Sequence, residues 1–173
     1  MKKLMNLFLI LIALFLFGSC MNEKKESPVE KVDFEKEKME ISQLLDNLVT
    51  ASETGNFEMI EDIWYPSDDA FLIGTESDEK LEGWDEISSA IKKQFGNFEE
   101  TLISITDQSI WMNDDATVAW FFEALNYNFV YEDKAMTFEG IRFTGVMQKK
   151  EGVWRLVQQH MSIPAQLEMV ETH

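Results

Sequence analysis

A histidine and an arginine near the end of the chain are the side chains best suited to acid–base chemistry. The segment Lys150-Glu151-Gly152 separates two β-rich runs, and a three-residue turn closed by Gly152 pairs Lys149 with Val153. Continuing that register places Arg142 directly opposite His160. A guanidinium disfavours a charged imidazole beside it, so His160 is predicted to act as a general base while Arg142 orients an oxygen.

Other side chains on the same face of this predicted sheet would complete a small-molecule pocket. They are aromatic, amide or hydroxyl groups, namely Trp120, Phe122, Asn126, Thr144 and Gln158. A register slip of one residue would send Arg142 and His160 to opposite faces. The alternative, that both are hydrogen-bonded sheet residues without a chemical role, stays open.

Metal and phosphate chemistry have no comparable pattern in the sequence. His160 and His173 are the only histidines, and neither paired histidines nor regularly spaced carboxylates form a metal-ligand motif. No glycine-rich phosphate loop is present. We therefore predict no cofactor and no metal.

The elements that would position these residues change in type along the chain. Apolar residues recur at helical spacing over residues 39–54, which Gly55 ends, and Asn56 can cap a second helix through Trp64. A short strand is predicted at residues 70–74. A third helix is predicted over residues 84–95, with Gly96 as its terminator.

Beyond Gly96 the apolar period changes to two. Four β-rich runs cover residues 100–112, 116–131, 135–149 and 153–163, with short polar turns between them. Connections this short join antiparallel neighbours, so the C-terminal half is predicted to be a four-stranded meander on which the helices pack. The predicted fold class is α+β.

In the run 116–131 the residues that point to either face of the sheet are apolar, so both faces must be packed against another element. The helices can cover one face, and a second copy of the chain is predicted to cover the other, forming a homodimer. Glu123 and Tyr127 interrupt this run. They fit a cavity lining or a dimer contact equally well.

The N-terminus has the pattern of an export leader. Lys2 and Lys3 precede an apolar run that is shorter than the ~20 residues of a spanning helix and ends at Gly18-Ser19-Cys20. This segment resembles a bacterial lipoprotein processing site, which implies a lipid on Cys20. Cys20 is the single cysteine, so no intrachain disulfide can form.

This pattern predicts four segments: a signal peptide at residues 1–19, a flexible tether at 20–38, one domain at 39–164 and an unassigned tail at 165–173. The predicted location is the cell envelope, with the outer membrane favoured in a diderm because Met21, not aspartate, follows the cysteine. The formal net charge of −17 excludes nucleic acid as a partner. It allows neutral or cationic ligands, although a solubilising surface explains it as well.

Two stretches carry a family resemblance. They are Phe71-Leu72-Ile73-Gly74-Thr75 with Glu82-Gly83-Trp84-Asp85-Glu86-Ile87, and residues 142–146 (RFTGV) with 153–164 (VWRLVQQHMSIP). These resemble the SnoaL-like branch of the nuclear transport factor 2 superfamily, which implies a cone of helices and curved sheet that opens to a pocket. Steroid isomerases of that superfamily place a catalytic aspartate where this chain has Gly74, so the resemblance does not imply isomerisation of steroids.

Three functional readings follow. In the first, an envelope lipoprotein binds a small, largely apolar molecule. In the second, an enzyme of the isomerase, cyclase or lyase kind uses His160 as base and Arg142 to stabilise an enolate-like oxygen. In the third, the domain is a non-catalytic dimeric interaction module.

Overall fold

The computed structural model describes residues 31–76 and 78–165. The predicted leader, Cys20, most of the tether and the tail beyond Ala165 lie outside the described residues. Among the described helices, none is both long and apolar enough to cross a membrane.

The described part of the N-terminal half contains three helices, with bounds Phe34–Thr54 (α1), Phe57–Ile63 (α2) and Trp84–Asn97 (α3). Gly55, at φ 63°, ends α1, and Asn56 caps α2 by accepting a hydrogen bond from the Met59 amide at 3.2 Å. Both features were predicted. Gly96 does not end α3, which continues to Asn97 because nothing in its φ or surroundings breaks the helix there.

Helix α1 begins five residues before its predicted start, so the tether cannot extend to Lys38. Asp33 caps the helix by accepting a hydrogen bond from the Lys36 amide at 3.2 Å. Glu37 then accepts hydrogen bonds from Lys149 Nζ at 2.6 Å and from Trp154 Nε1 at 2.7 Å. A local cap and two contacts with the sheet therefore order a segment whose composition is typical of a linker.

Within the described residues six strands form one mixed sheet, with bounds Phe71–Ile73 (β1), Lys80–Glu82 (β2), Glu99–Met112 (β3), Val118–Tyr131 (β4), Lys134–Lys150 (β5) and Val153–Ser162 (β6). The order is β2-β1-β6-β5-β4-β3. The α+β class and the antiparallel meander of β3 to β6 are confirmed. Strand β1 adds in parallel to β6, and β2, which was not predicted, pairs antiparallel with β1.

The predicted register between β5 and β6 is wrong. Arg142 pairs with Ser162, and Thr144 pairs with His160. The turn has two residues, Glu151 at φ 52° and Gly152 at φ 83°, and this shifts the ladder by one. A bulge beside Val146 shifts it by one more.

The two shifts of one residue add up to two residues, which is the side-chain period of a strand. Arg142 and His160 therefore still share a face, but as diagonal neighbours. Further irregularities occur in the β3–β4 and β4–β5 ladders, next to Ile105 and Leu125. Bulges increase local twist and bend strands, so their recurrence in neighbouring ladders accounts for the curvature of the sheet.

The core lies between the helices and one face of this curved sheet. Helix residues Ile41, Leu45 and Ile87 are buried there, against alternate residues of the strands. The buried strand residues include Phe121, Leu125, Phe143, Met147, Trp154 and Leu156. We call this face the inner face and the opposite one the outer face.

Candidate functional site

The residues predicted to form a site lie together, but on the outer face of the sheet. Phe122 pairs with Thr144, which pairs with His160, so these three form one row across β4, β5 and β6. Arg142 lies in the next row, beside Ala124, and its Nη2 donates a long hydrogen bond of 3.4 Å to the Ile163 carbonyl. The prediction that Arg142 and His160 share a face is confirmed.

The remaining predicted residues also belong to this side of the sheet. Trp120 pairs with Val146, which pairs with Gln158, and the Trp120 side chain is 45% exposed. Asn126 stabilises the backbone of β5. Its Oδ1 accepts a hydrogen bond from the Gly140 amide at 3.0 Å, at the bulge where Gly140 has φ 65°. The shared hollow predicted around Arg142 and His160 is therefore an open sheet surface. The catalytic roles assigned to the two residues stay predictions.

A cavity opens on the inner face instead. It has a volume of about 520 Å³ and is bounded by α3, by β1 and β2, and by the inner residues of β4, β5 and β6. None of the predicted site residues lines it. On β6 the residues next to His160 in sequence, Gln159 and Met161, face the cavity, so His160 itself points to the other side of the sheet. The size falls within the range of small-molecule sites.

Aromatic side chains form one wall of the cavity. Phe98 stacks on Phe129 with ring centroids 4.1 Å apart, and Tyr127 meets Phe129 edge to face at 5.6 Å. Phe138 lies 5.9 Å from Phe129, and Tyr131 contacts Phe98 near the mouth. The rings pack against one another, so the wall is preformed.

A tyrosine and a glutamine form the polar inner part of the cavity. Gln94 Nε2 donates a hydrogen bond to Tyr127 Oη at 2.9 Å. Burial raises the pKa of Tyr127 above its ordinary 10.0, so the phenol keeps its proton. The phenol oxygen accepts from Gln94, and a hydroxyl that accepts one bond can still donate one, to the Thr101 side chain beside it or to a ligand acceptor.

A carboxylate fills the place of a missing side chain at the cavity rim. Gly74 and Glu79 both line the cavity, and the Glu79 carboxyl occupies the space that a Cβ on Gly74 would need. The Gly74 amide also donates to the Glu79 carbonyl at 2.9 Å, which closes the β1–β2 turn. Gly74 is thus the position that lets Glu79 fold over the rim.

A fully buried acid lies outside the cavity, between α1 and the sheet. Glu123 is 0% exposed, and its Oε1 accepts a hydrogen bond from Gln108 Nε2 at 2.7 Å. Gln108 in turn accepts from the Ser42 hydroxyl at 2.8 Å, while Glu123 Oε2 has no partner among the described residues. Burial raises the pKa of Glu123, the nearby Asp46 carboxylate adds to the rise, and the bond from Gln108 opposes it.

Metal binding has no support in the part of the chain that the structure describes. No group of three or more His, Cys, Asp or Glu side chains is close enough there to hold an ion. The cavity offers hydroxyl, amide and aromatic groups instead, which suit an organic ligand.

Helices that pack on the inner face of a curved, unclosed sheet, with a cavity between them, define the cone fold of the nuclear transport factor 2-like superfamily. The SnoaL-like domain family matches residues 41–166, so the chain belongs to that family. The resemblance read from the sequence is confirmed. No curated protein is significantly similar in sequence.

Solved structures share the fold at low identity. A nuclear transport factor 2-like superfamily protein from Salmonella enterica serovar Typhimurium is 18% identical with a TM-score of 0.71, over 81% of this chain and 99% of that one. A candidate dehydratase of the same family from Streptomyces avermitilis is 16% identical with a TM-score of 0.68, over 76% and 99%. A candidate scytalone dehydratase from Novosphingobium aromaticivorans is 11% identical with a TM-score of 0.67, over 76% and 87%. At these identities the likeness shows the fold alone.

The sequence carried partial signals for the true cavity. Tyr127 interrupts the apolar run of β4, and it is one of two polar residues noted there. Gln159 and Met161 flank His160, and they become the predicted pocket residues if β6 is assumed to turn its other face inward. Gln94, Phe98, Phe129 and Phe138 carried no distinguishing signal, because amphipathic helices and apolar strands contain such residues in any core.

Proposed function

We propose that this domain binds a small, largely apolar molecule in the inner-face cavity. The supporting observation is the preformed aromatic wall of Phe98, Phe129 and Phe138 beside the hydrogen-bonded pair Gln94 and Tyr127. Such a wall supplies most of the apolar contact area, while the pair fixes the orientation of one polar group. Relatives named as dehydratases have the same fold, which is consistent with a pocket that accepts organic molecules.

Titration with the neutral fluorescent probe N-phenyl-1-naphthylamine tests this proposal. Wild-type protein should bind the probe with saturable fluorescence enhancement, and Met161→Trp, which fills the cavity, should abolish saturation. Thr144→Val is the matched control, because it changes a half-buried strand residue on the outer face. Equal binding by all three proteins would contradict a cavity site.

The envelope location is the second part of the proposal. A diacylglycerol on Cys20 would hold the domain at a membrane surface, with residues before Val32 as the spacer. Expression in a diderm host should yield a membrane-associated product whose mass includes the lipid, and Cys20→Ser should release it. A wild-type product of unmodified mass in the soluble fraction would overturn the lipid anchor.

The outer face supports a second candidate role, association with another copy of the chain. Trp111 and Trp120 pair directly on this face and are 47% and 45% exposed. Two rows further along the same face, Asp107 and Arg142 flank Ala124 on either side. A two-fold axis near Ala124 would place Asp107 of each copy opposite Arg142 of the other, giving an isologous contact with complementary charge.

Light scattering on the purified domain tests this association. Wild-type protein should have twice the monomer mass, and Trp120→Lys should reduce it to the monomer mass while retaining probe binding. A monomer at every concentration up to the millimolar range would exclude the dimer.

The enzymatic reading has a separate requirement. His160 as base would have to act on the open outer face, since the sheet itself separates its side chain from the cavity. If His160→Ala abolishes a turnover found for wild-type protein, that face is the site of chemistry.

A further inference from the structure

From the charges at the cavity rim, we infer that the preferred ligand is a hydrophobic cation, an amine attached to an aromatic or aliphatic body. The inference rests on the proposed binding function and specifies its ligand class. It depends on Glu79, which was not among the predicted site residues.

Glu79 is a half-buried carboxylate in the cavity lining, held there by the turn that Gly74 permits. Within residues 31–76 and 78–165, no basic group forms an ion pair with it. A half-buried carboxylate without a protein cation is free to accept a charge-assisted hydrogen bond from a ligand ammonium.

The aromatic wall favours the same charge. The faces of Phe and Tyr rings attract cations, most strongly when the cation is partly removed from water. Tyr131, which is 39% exposed beside the mouth, and Phe138 both line the cavity that Glu79 borders. A carboxylate and several aromatic rings around one opening are the groups that recognise an organic ammonium.

The remaining charges of the lining leave the rim negative. Glu76 also lines the cavity, and among the described lining residues Lys93 on α3 is the basic one, with its side chain exposed to water. The rim therefore has a net negative charge within a chain of formal net charge −17. An anionic ligand would be repelled by the rim and by the net charge of the chain, whereas an amine would be attracted.

Three ligands with the same body separate the possibilities: 4-biphenylmethylamine, 4-biphenylmethanol and 4-biphenylcarboxylate. Calorimetric titration of wild-type protein should show the amine binding about tenfold more tightly than the alcohol, and the carboxylate more weakly than either. Glu79→Gln should bring the amine to the affinity of the alcohol and leave the alcohol unchanged. Glu58→Gln, which removes an exposed carboxylate of α2 that does not line the cavity, is the matched control and should preserve the preference.

The outcomes distinguish the ligand class from the binding function. If the alcohol binds as tightly as the amine, the cation preference is overturned while the cavity function stands. If the amine preference survives Glu79→Gln, the assignment to Glu79 is overturned. If neither compound nor N-phenyl-1-naphthylamine binds, the binding function itself fails.

Discussion

Gln94 on α3 and Tyr127 on β4 are joined by a hydrogen bond of 2.9 Å at the inner part of the cavity. The bond ties a helix to the sheet and also settles the orientation of the phenol. Its oxygen accepts from the amide, which leaves the hydroxyl able to donate to a second acceptor, the Thr101 side chain or a ligand group. This pair therefore determines which polar group a ligand can place at that end.

The first prediction concerns this phenol. Tyr127→Phe should weaken the binding of 2-acetylnaphthalene about fivefold, because the ketone loses a donor whose net value is about 1 kcal/mol. The binding of 2-ethylnaphthalene, which has the same shape and no acceptor, should be unchanged. Calorimetry on both compounds provides the comparison. Equal losses for ketone and hydrocarbon would show that the phenyl ring position, not the hydroxyl, determines affinity.

Glu123 gives a prediction about pH. Its pKa is raised above the ordinary 4.5 in the folded state, so the stability it contributes is complete below 4.5 and is lost as the pH rises through the folded value. Glu123→Gln keeps the shape of the protonated acid and cannot ionise. The variant should therefore gain stability relative to wild type between pH 5 and 8, as urea unfolding midpoints would show. A constant difference across that range would mean that Glu123 does not titrate with folding.

Glu37 should behave in the opposite sense. Burial raises its pKa, but the hydrogen bonds from Lys149 and Trp154 and the Lys149 charge outweigh burial, so the net pKa is lowered from 4.5. The stability it contributes is present above 4.5 and is lost as the pH falls through the folded value. Glu37→Gln should cost about 2 kcal/mol at pH 7, and less at pH 3. A cost that is independent of pH would indicate that packing, not charge, is responsible.

Two glycines make a matched pair for stability. A Cβ on Gly145 would lie 2.5 Å from the Phe121 ring and 2.7 Å from the Gln158 carbonyl oxygen, whereas one on Gly96 would meet nothing within 4 Å. Gly145→Ala should destabilise the domain by about 2 kcal/mol through overpacking. Gly96→Ala should stabilise it by about 0.5 kcal/mol, because alanine is the better helix residue. Thermal unfolding of both variants tests the contrast, which would be lost if their melting temperatures moved together.

The helices and the meander were predictable because their signals are local. Asn56 caps its helix, Gly55 ends the one before, and a period of two marks each long strand, whatever the rest of the chain does. Strand β2 was not predicted, because Lys80, Leu81 and Glu82 form a strand only through pairing with β1. Such a pairing is a tertiary fact without a pattern of its own.

The site was not predictable for a related reason. Strand β4 is apolar on both alternations, so the sequence could not say whether Trp120 and Phe122 or Phe121 and Tyr127 face the helices. The assumed three-residue turn also gave the wrong partner for His160, since Glu151 adopts a positive φ that few non-glycine residues adopt. The two one-residue shifts kept Arg142 and His160 on one face of the sheet, and that face is the outer one because the opposite alternation packs on the helices.

Proton and methyl NMR on one sample can decide which face of the sheet holds the ligand. Met161 and His160 are adjacent in sequence and point to opposite faces, so their signals report the two sides of β6 separately. Adding N-phenyl-1-naphthylamine should shift the Met161 methyl signal in proportion to saturation and leave the His160 ring signals in place. Movement of the His160 signals with a stationary Met161 methyl would place the ligand on the outer face and contradict the cavity.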